Sequence, residues 1–193
     1  MNKDNDLPLR EFKNFVNGPS NKNLFVLKEN GKEYRAINDN NKSCLELQID
    51  KGIIDNEEIN KCDKGLIVLD DDKCILVELK GCDVSKACIQ LNSTLDIFKK
   101  KLLKVNNYDY YCRAVVTSMP SPNNYPTSYK ILLKNLNNCK NKLICKSKKN
   151  AGTDMSFFCL VVTKNVPAHA LMAGIPAKRI GWACECENVL GET

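Results

Sequence analysis

Residues 63–91 read "DKGLIVLDDDKCILVELKGCDVSKACIQL". Two apolar runs, 65–69 (GLIVL) and 74–80 (CILVELK), flank the acidic "DDDK". Short apolar runs around a turn-forming cluster predict a β-hairpin. The following residues change period. Val84, Cys88, Leu91, Leu95, Phe98 and Leu102 recur on one helical face, and Asp83 stands where a helix N-cap is expected. Strand, turn, strand and helix therefore follow one another, with Glu78 and Lys80 set inside the second apolar run. Charges at such a place are costly to bury without compensation.

A turn centred between Asp71 and Asp72 puts residue 69 opposite 74, 65 opposite 78, and 63 opposite 80. Opposed residues share a side of the sheet, and a strand alternates sides. Asp63, Glu78 and Lys80 are thus expected together on an exposed face, with Ile75, Val77 and Leu79 pointing into the core. A one-residue slip would scatter the three.

Outward from the hairpin the order is mixed. Residues 7–17 suggest a short helix, because Leu9, Phe12 and Val16 share a face. Asn30-Gly31 predicts a tight turn within "NLFVLKENGKEYRAI", and "CLELQID" (44–50) alternates as a strand does. "YYCRAVVTS" (110–118) and "KLICKSKK" read as strands, "PSPNNYP" as a loop, and "TSYKILLKNLNNC" as a helix. The expected class is α/β (α+β), a central mixed β-sheet flanked by helices, with a short irregular C-terminal tail.

The 193 residues suffice for one domain and an appendage, and 43% are hydrophobic. No apolar run approaches the roughly 18–20 residues of a membrane span. "MNKDNDLPLREFKNF" has no apolar centre and does not read as a secretory signal. Eleven cysteines without a Cys-x-x-Cys pair read as reduced, mostly buried thiols, so a cytoplasmic location is expected. Cys184 and Cys186 lack a second pair to close a zinc site.

Composition changes near residue 150. Asn165 and Asn188 are the only later asparagines, while the single His and the single Trp both lie beyond it. Residues 151–193 hold Lys164, Lys178 and Arg179 against Asp154, Glu185, Glu187 and Glu192, a net −1; with +6 overall, residues 1–150 carry +7. A basic balance of that kind suits a polyanion such as nucleic acid as well as a solvated lysine-rich surface. Two units are expected, 1–150 and 151–193.

Two converging carboxylates suit a hard divalent cation, Mg²⁺ or Mn²⁺. A lysine beside them balances charge and is placed to orient a water or stabilise a phosphate oxygen. Taken alone, Glu-x-Lys reads first as a strand salt bridge. The wider pattern is Cys62-Asp63 followed by "ELKGCDVSKACIQLNST" (78–94). With its hairpin and helix, it resembles the PD-(D/E)xK, or restriction-endonuclease-like, nuclease superfamily over roughly residues 25–150. That resemblance implies a restriction-endonuclease-like core and metal ligands at Asp63 and Glu78. It also implies a catalytic lysine at Lys80, and a glutamine at Gln90 that some branches carry on the following helix. Gln90 lies beside the apolar stripe, where it faces either the site or solvent. The implied substrate is nucleic acid, DNA rather than RNA, with no membrane partner. The acidic residue that many relatives draw from a first core helix has no clear counterpart. Asp50 reads as a turn residue or a group behind the ligands.

The tail, "FFCLVVTKNVPAHALMAGIPAKRIGWACECE" (157–187), resembles the end of hexapeptide-repeat acyltransferases, especially nucleotide-sugar N-acetyltransferases. In that family the stretch closes a left-handed parallel β-helix. Only the last coil and exit segment are matched, and His169 falls where the family usually has an aromatic residue. Acyl transfer is therefore not expected. An acyltransferase relative and a non-catalytic nucleic-acid-binding module stand as the alternatives to a metal-dependent nuclease.

Overall fold

The computed structural model describes residues 8–38, 40–79, 83–103, 108–116, 120–147, 170–173, 178–183 and 189–190. Its centre is a six-stranded mixed sheet. In chain order the strands are β1 (Val16–Ser20), β2 (Leu24–Glu29), β3 (Lys32–Ile37), β4 (Cys44–Gln48), β5 (Lys64–Val68) and β6 (Lys73–Glu78). Helix α1 (Val84–Ile97), β7 (Asp109–Val116), α2 (Thr127–Asn135) and β8 (Leu143–Ser147) follow. The sheet order is β1-β4-β5-β6-β7-β8. Neighbours from β1 to β6 run antiparallel, and β6, β7 and β8 run parallel. This is the expected mixed sheet with flanking helices.

The two crossovers, β6-α1-β7 and β7-α2-β8, step across the sheet in one direction. Connections of one hand then put both helices on the same face. Asp83 caps α1 by accepting from the Lys86 amide at 2.9 Å. Val84, Cys88, Leu91, Leu95 and Phe98 are buried as the stripe requires. Five further residues, Phe98–Leu102, continue the helix as a π-helical turn. The helices run side by side in the same direction. Ser85 Oγ meets Ser128 Oγ at 3.0 Å, Asn135 Nδ2 donates to Asn92 Oδ1 at 2.7 Å, and both pairs are 43 residues apart.

The opposite face is covered by the β2–β3 hairpin. Phe25 opposes Ala36 and Leu27 opposes Tyr34, and all four are buried. Together with Leu66, Val68, Ile75, Val77, Leu79 and Val115 they form a second core. The expected Asn30-Gly31 turn is present, with φ of 46° and 71°. Positive φ at both central residues is what this two-residue turn demands, and glycine takes it without strain.

Three expectations are corrected. Residues 7–17 do not form a helix beyond a single 3-10 turn, Arg10–Phe12. From Val16 the chain is strand, opposite Leu47, and Phe15 O accepts the Gln48 amide at 2.8 Å. The open edge of β4 outweighs a weak helical period. The β5–β6 register also differs by two residues from the expected one: Ile67, not Leu69, faces Cys74. A 3-10 turn at Leu69–Asp71 and a left-handed Asp72 lengthen the connection. The tail, expected to be irregular, contains three described strands, β9 (Ala170–Ala173), β10 (Lys178–Ala183) and β11 (Val189–Leu190). They pair antiparallel in the order β11-β10-β9. His169 and most of 157–187 lie outside the described residues.

Seven cysteines are described, all free thiols, and five of them are buried. Burial pushes the Cys112 thiol up to about 12. Burial, followed by the charges of Asp70 and Asp71, pushes the Cys44 thiol up to about 12 as well. No described helix is long and apolar enough to cross a membrane.

Candidate metal and phosphodiester site

A two-residue change of register preserves sidedness, because side chains alternate with a period of two. The last laddered pair is Lys64↔Val77. Continuing it puts Asp63 opposite Glu78, where the sequence reading had put it opposite Lys80. A hydrogen bond fixes this arrangement: Asp63 Oδ2 accepts the Leu79 amide at 2.7 Å. The Asp63 carboxylate is thereby held against the peptide that follows Glu78, at the C-terminal end of β6. Lys80 lies outside the described residues.

The face that carries them is not open. Glu78 is 0% exposed. It shares its side of β6 with Cys74 and Leu76, which belong to the core beneath the helices. Hairpin parity put Glu78 on an exposed face away from the core, and this is corrected: the face is itself part of the core. The crossover helix covers it. A buried carboxylate of this kind stays ionised only where a cation or hydrogen-bond donors compensate it.

Helix α1 reaches the same strand end through two side chains one turn apart. Gln90 Nε2 donates to Lys61 O at 2.8 Å. Thr94 Oγ1 accepts the Cys62 amide at 2.9 Å and donates to Gln90 O at 2.9 Å. These bonds clamp residues 61 and 62 immediately before Asp63. Of the two orientations open to Gln90, the amide is turned inward. Its Oε1 is buried and accepts no hydrogen bond among the described residues.

Two further groups join this end of the sheet. Lys61 is only 8% exposed; its Nζ donates to Asn56 O at 2.8 Å and lies 3.4 Å from Asp50 Oδ1. The Ile49 and Asp50 amides both donate to Asp63 O, at 3.1 and 3.2 Å. Asp50 thus stands behind Asp63 and is bridged by Lys61, which the sequence reading did not single out. Its only signal was adjacency to Cys62-Asp63, and lysine is rarely buried enough for that to suggest a role. Burial, and then the negative charge of Glu78, push the Cys62 thiol well above its ordinary range. Cys62 is therefore a neutral filler between the carboxylates and the helix.

The donor set fits a hard cation in kind. Asp63 and Glu78 offer carboxylate oxygens, and the unengaged Gln90 Oε1 is an amide oxygen of the type Mg²⁺ or Mn²⁺ accepts. Three or more His, Cys, Asp or Glu side chains do not cluster among the described residues, so such an ion would keep several waters. A separate cleft of about 580 Å³ opens on the other face, between the Lys28–Glu33 turn and Val115, and takes in none of these three residues.

The Thr94 clamp has a measurable consequence. Thr94→Val keeps the volume but leaves the buried Cys62 amide without its acceptor. An orphaned buried donor costs about 1–3 kcal/mol. Urea unfolding is expected to show that loss, with Thr94→Ser close to wild type; equal stability of the valine variant would show that the clamp is dispensable.

No significant match to the chain was found among protein-family models, curated proteins or solved structures.

Proposed function

We propose that the chain is a metal-dependent nuclease that hydrolyses nucleic-acid phosphodiester bonds, with DNA the expected substrate. The observation that supports this most is that Asp63, beside Glu78 at one strand end, is reached from α1 by the partly buried Gln90, which bonds residue 61. It is consistent with the PD-(D/E)xK resemblance of residues 62–94.

In this reading Asp63 and Glu78 hold the ion. Mg²⁺ or Mn²⁺, when bound, supplies charge stabilisation to the phosphoryl oxygens and a more acidic water. Lys80, two residues beyond Glu78, orients that water or meets the developing negative charge. Gln90 and Thr94 keep the approach of Asp63 fixed through residues 61 and 62. Water adds to phosphorus, and the bond to the leaving sugar oxygen breaks, giving one phosphate and one hydroxyl terminus.

Purified protein mixed with supercoiled plasmid or a single-stranded oligonucleotide is expected to cut in Mg²⁺ or Mn²⁺ and to stop in EDTA. Absence of cleavage in both metals, or cleavage that persists in EDTA, overturns the proposal.

A further inference from the structure

Lysines gather where the C-terminus of α2 meets the last turns of α1. Residues 99–101 are Lys99, Lys100 and Lys101, on the π-helical turn that extends α1. Residues 134–142 contain Lys134, Lys140 and Lys142 and no acidic residue. The last residue of α2, Asn135, lies beside Asn92, so its end reaches the final turns of α1. Lys99 Nζ donates to Asn135 O at 3.0 Å and sits 5.5 Å from the Tyr110 ring centre. Lys99, Lys100, Lys101, Lys134 and Lys140 are all exposed.

Neutralisation at this end of the fold is incomplete. Asp96 lies 3.6 Å from Lys100, and Asp109 bonds Lys142. The neighbouring acidic turn is engaged elsewhere in part: Asp71 binds Lys42 and Lys73 at 2.5 and 2.8 Å, and Asp70 accepts the Ser43 amide at 2.7 Å, while Asp72 is exposed. Lysines at helix C-termini also offset the negative end of the helix dipole, but that effect is confined to the last turn. It does not account for Lys140, which follows α2 on a separate 3-10 turn.

We infer that this lysine cluster is a docking surface for the phosphate backbone of nucleic acid, separate from the carboxylate site. The clustering of like charge is what a polyanion rewards. Exposed Asn137 and Asn138 beside it offer amides for phosphate and sugar oxygens. The large exposed apolar side chains on the two helices, Ile89 and Ile131, are too few to enter a lipid surface, so nucleic acid fits better than a membrane. Helix α1 begins just after the Glu78 end of β6 and rises about 1.5 Å per residue, so its fourteen residues set the cluster roughly 21 Å from the carboxylates. A duplex lying along the helices would be gripped at one end and presented at the other.

The test measures binding alone, in EDTA, so it does not depend on cleavage. Fluorescence anisotropy with a labelled duplex gives the slope of log affinity against log salt concentration. Each phosphate contact contributes about 0.9 to that slope. Changing Lys100, Lys101, Lys134 and Lys140 to Gln is expected to lower the slope by about 3.6 if all four engage phosphates. The same four as Arg are expected to restore it, which separates charge from misfolding. Lys13→Gln with Lys28→Gln, far from the cluster, is expected to change little. An unchanged slope in the four-glutamine variant overturns the inference. So does wild-type protein that binds phosphatidylserine vesicles but no duplex. If the slope falls as expected and no cleavage occurs in Mg²⁺, the docking surface stands and the nuclease proposal fails.

Discussion

Glu78→Gln is expected to abolish metal-dependent cleavage while leaving the fold intact. The substitution keeps the volume of a side chain that is 0% exposed, so the packing under α1 is preserved. It removes the negative charge on which binding of a hard cation depends. A second readout needs no catalysis. A ligand that binds only the native state stabilises it by about 2.7 kcal/mol at a hundred times its dissociation constant. Mg²⁺ or Mn²⁺ is therefore expected to raise the melting temperature of the wild-type protein and not that of Glu78→Gln. Metal-dependent cleavage at wild-type rate in the variant would remove Glu78 from the site. An equal thermal shift in both proteins would place the ion elsewhere.

The largest loss of stability is expected from Phe98→Ala. Phe98 is 0% exposed and belongs to the core between the sheet and the two helices, at the junction of α1 with its π-helical extension. Truncation of a buried phenylalanine removes its transfer free energy and leaves a cavity, together about 3–5 kcal/mol. Native domains hold only about 5–15 kcal/mol in total, so much of the stability would go. Urea unfolding followed by circular dichroism should show a large fall in the midpoint. Ile131→Ala, half exposed on α2, should shift it by less than about 0.5 kcal/mol. Similar shifts in the two variants would contradict the assignment of Phe98 to the core.

Where local chemistry suffices, the sequence alone determined the element. Asn30-Gly31 carries its own turn geometry, and the β2–β3 hairpin forms around it. Asp83 and the stripe from Val84 to Phe98 carry a cap and a period, and α1 forms between them. Alternation along β6 was also legible, since it holds even when the register moves by two, but the exposed face expected for Glu78 is core. The helix expected at 7–17 failed because edge pairing with β4 offers hydrogen bonds that a short segment cannot supply for itself. The register failed because a 3-10 turn depends on how Asp71 and Asp72 are held, and Asp71 is held by Lys42 and Lys73 from outside the turn.

The candidate site divides in the same way. Asp63 and Glu78 could be named from their positions in the hairpin. Their immediate surroundings could not, because those come from distant parts of the chain. Thr94 and Gln90 reach residues 61 and 62 from about thirty residues away. Lys61 is buried by a loop, and α1 closes the face that hairpin parity alone would leave open. A sequence specifies which side of a strand a residue takes, since that follows from backbone geometry. What covers that side depends on where the crossover helices land, and this was decided only when the whole sheet was assembled.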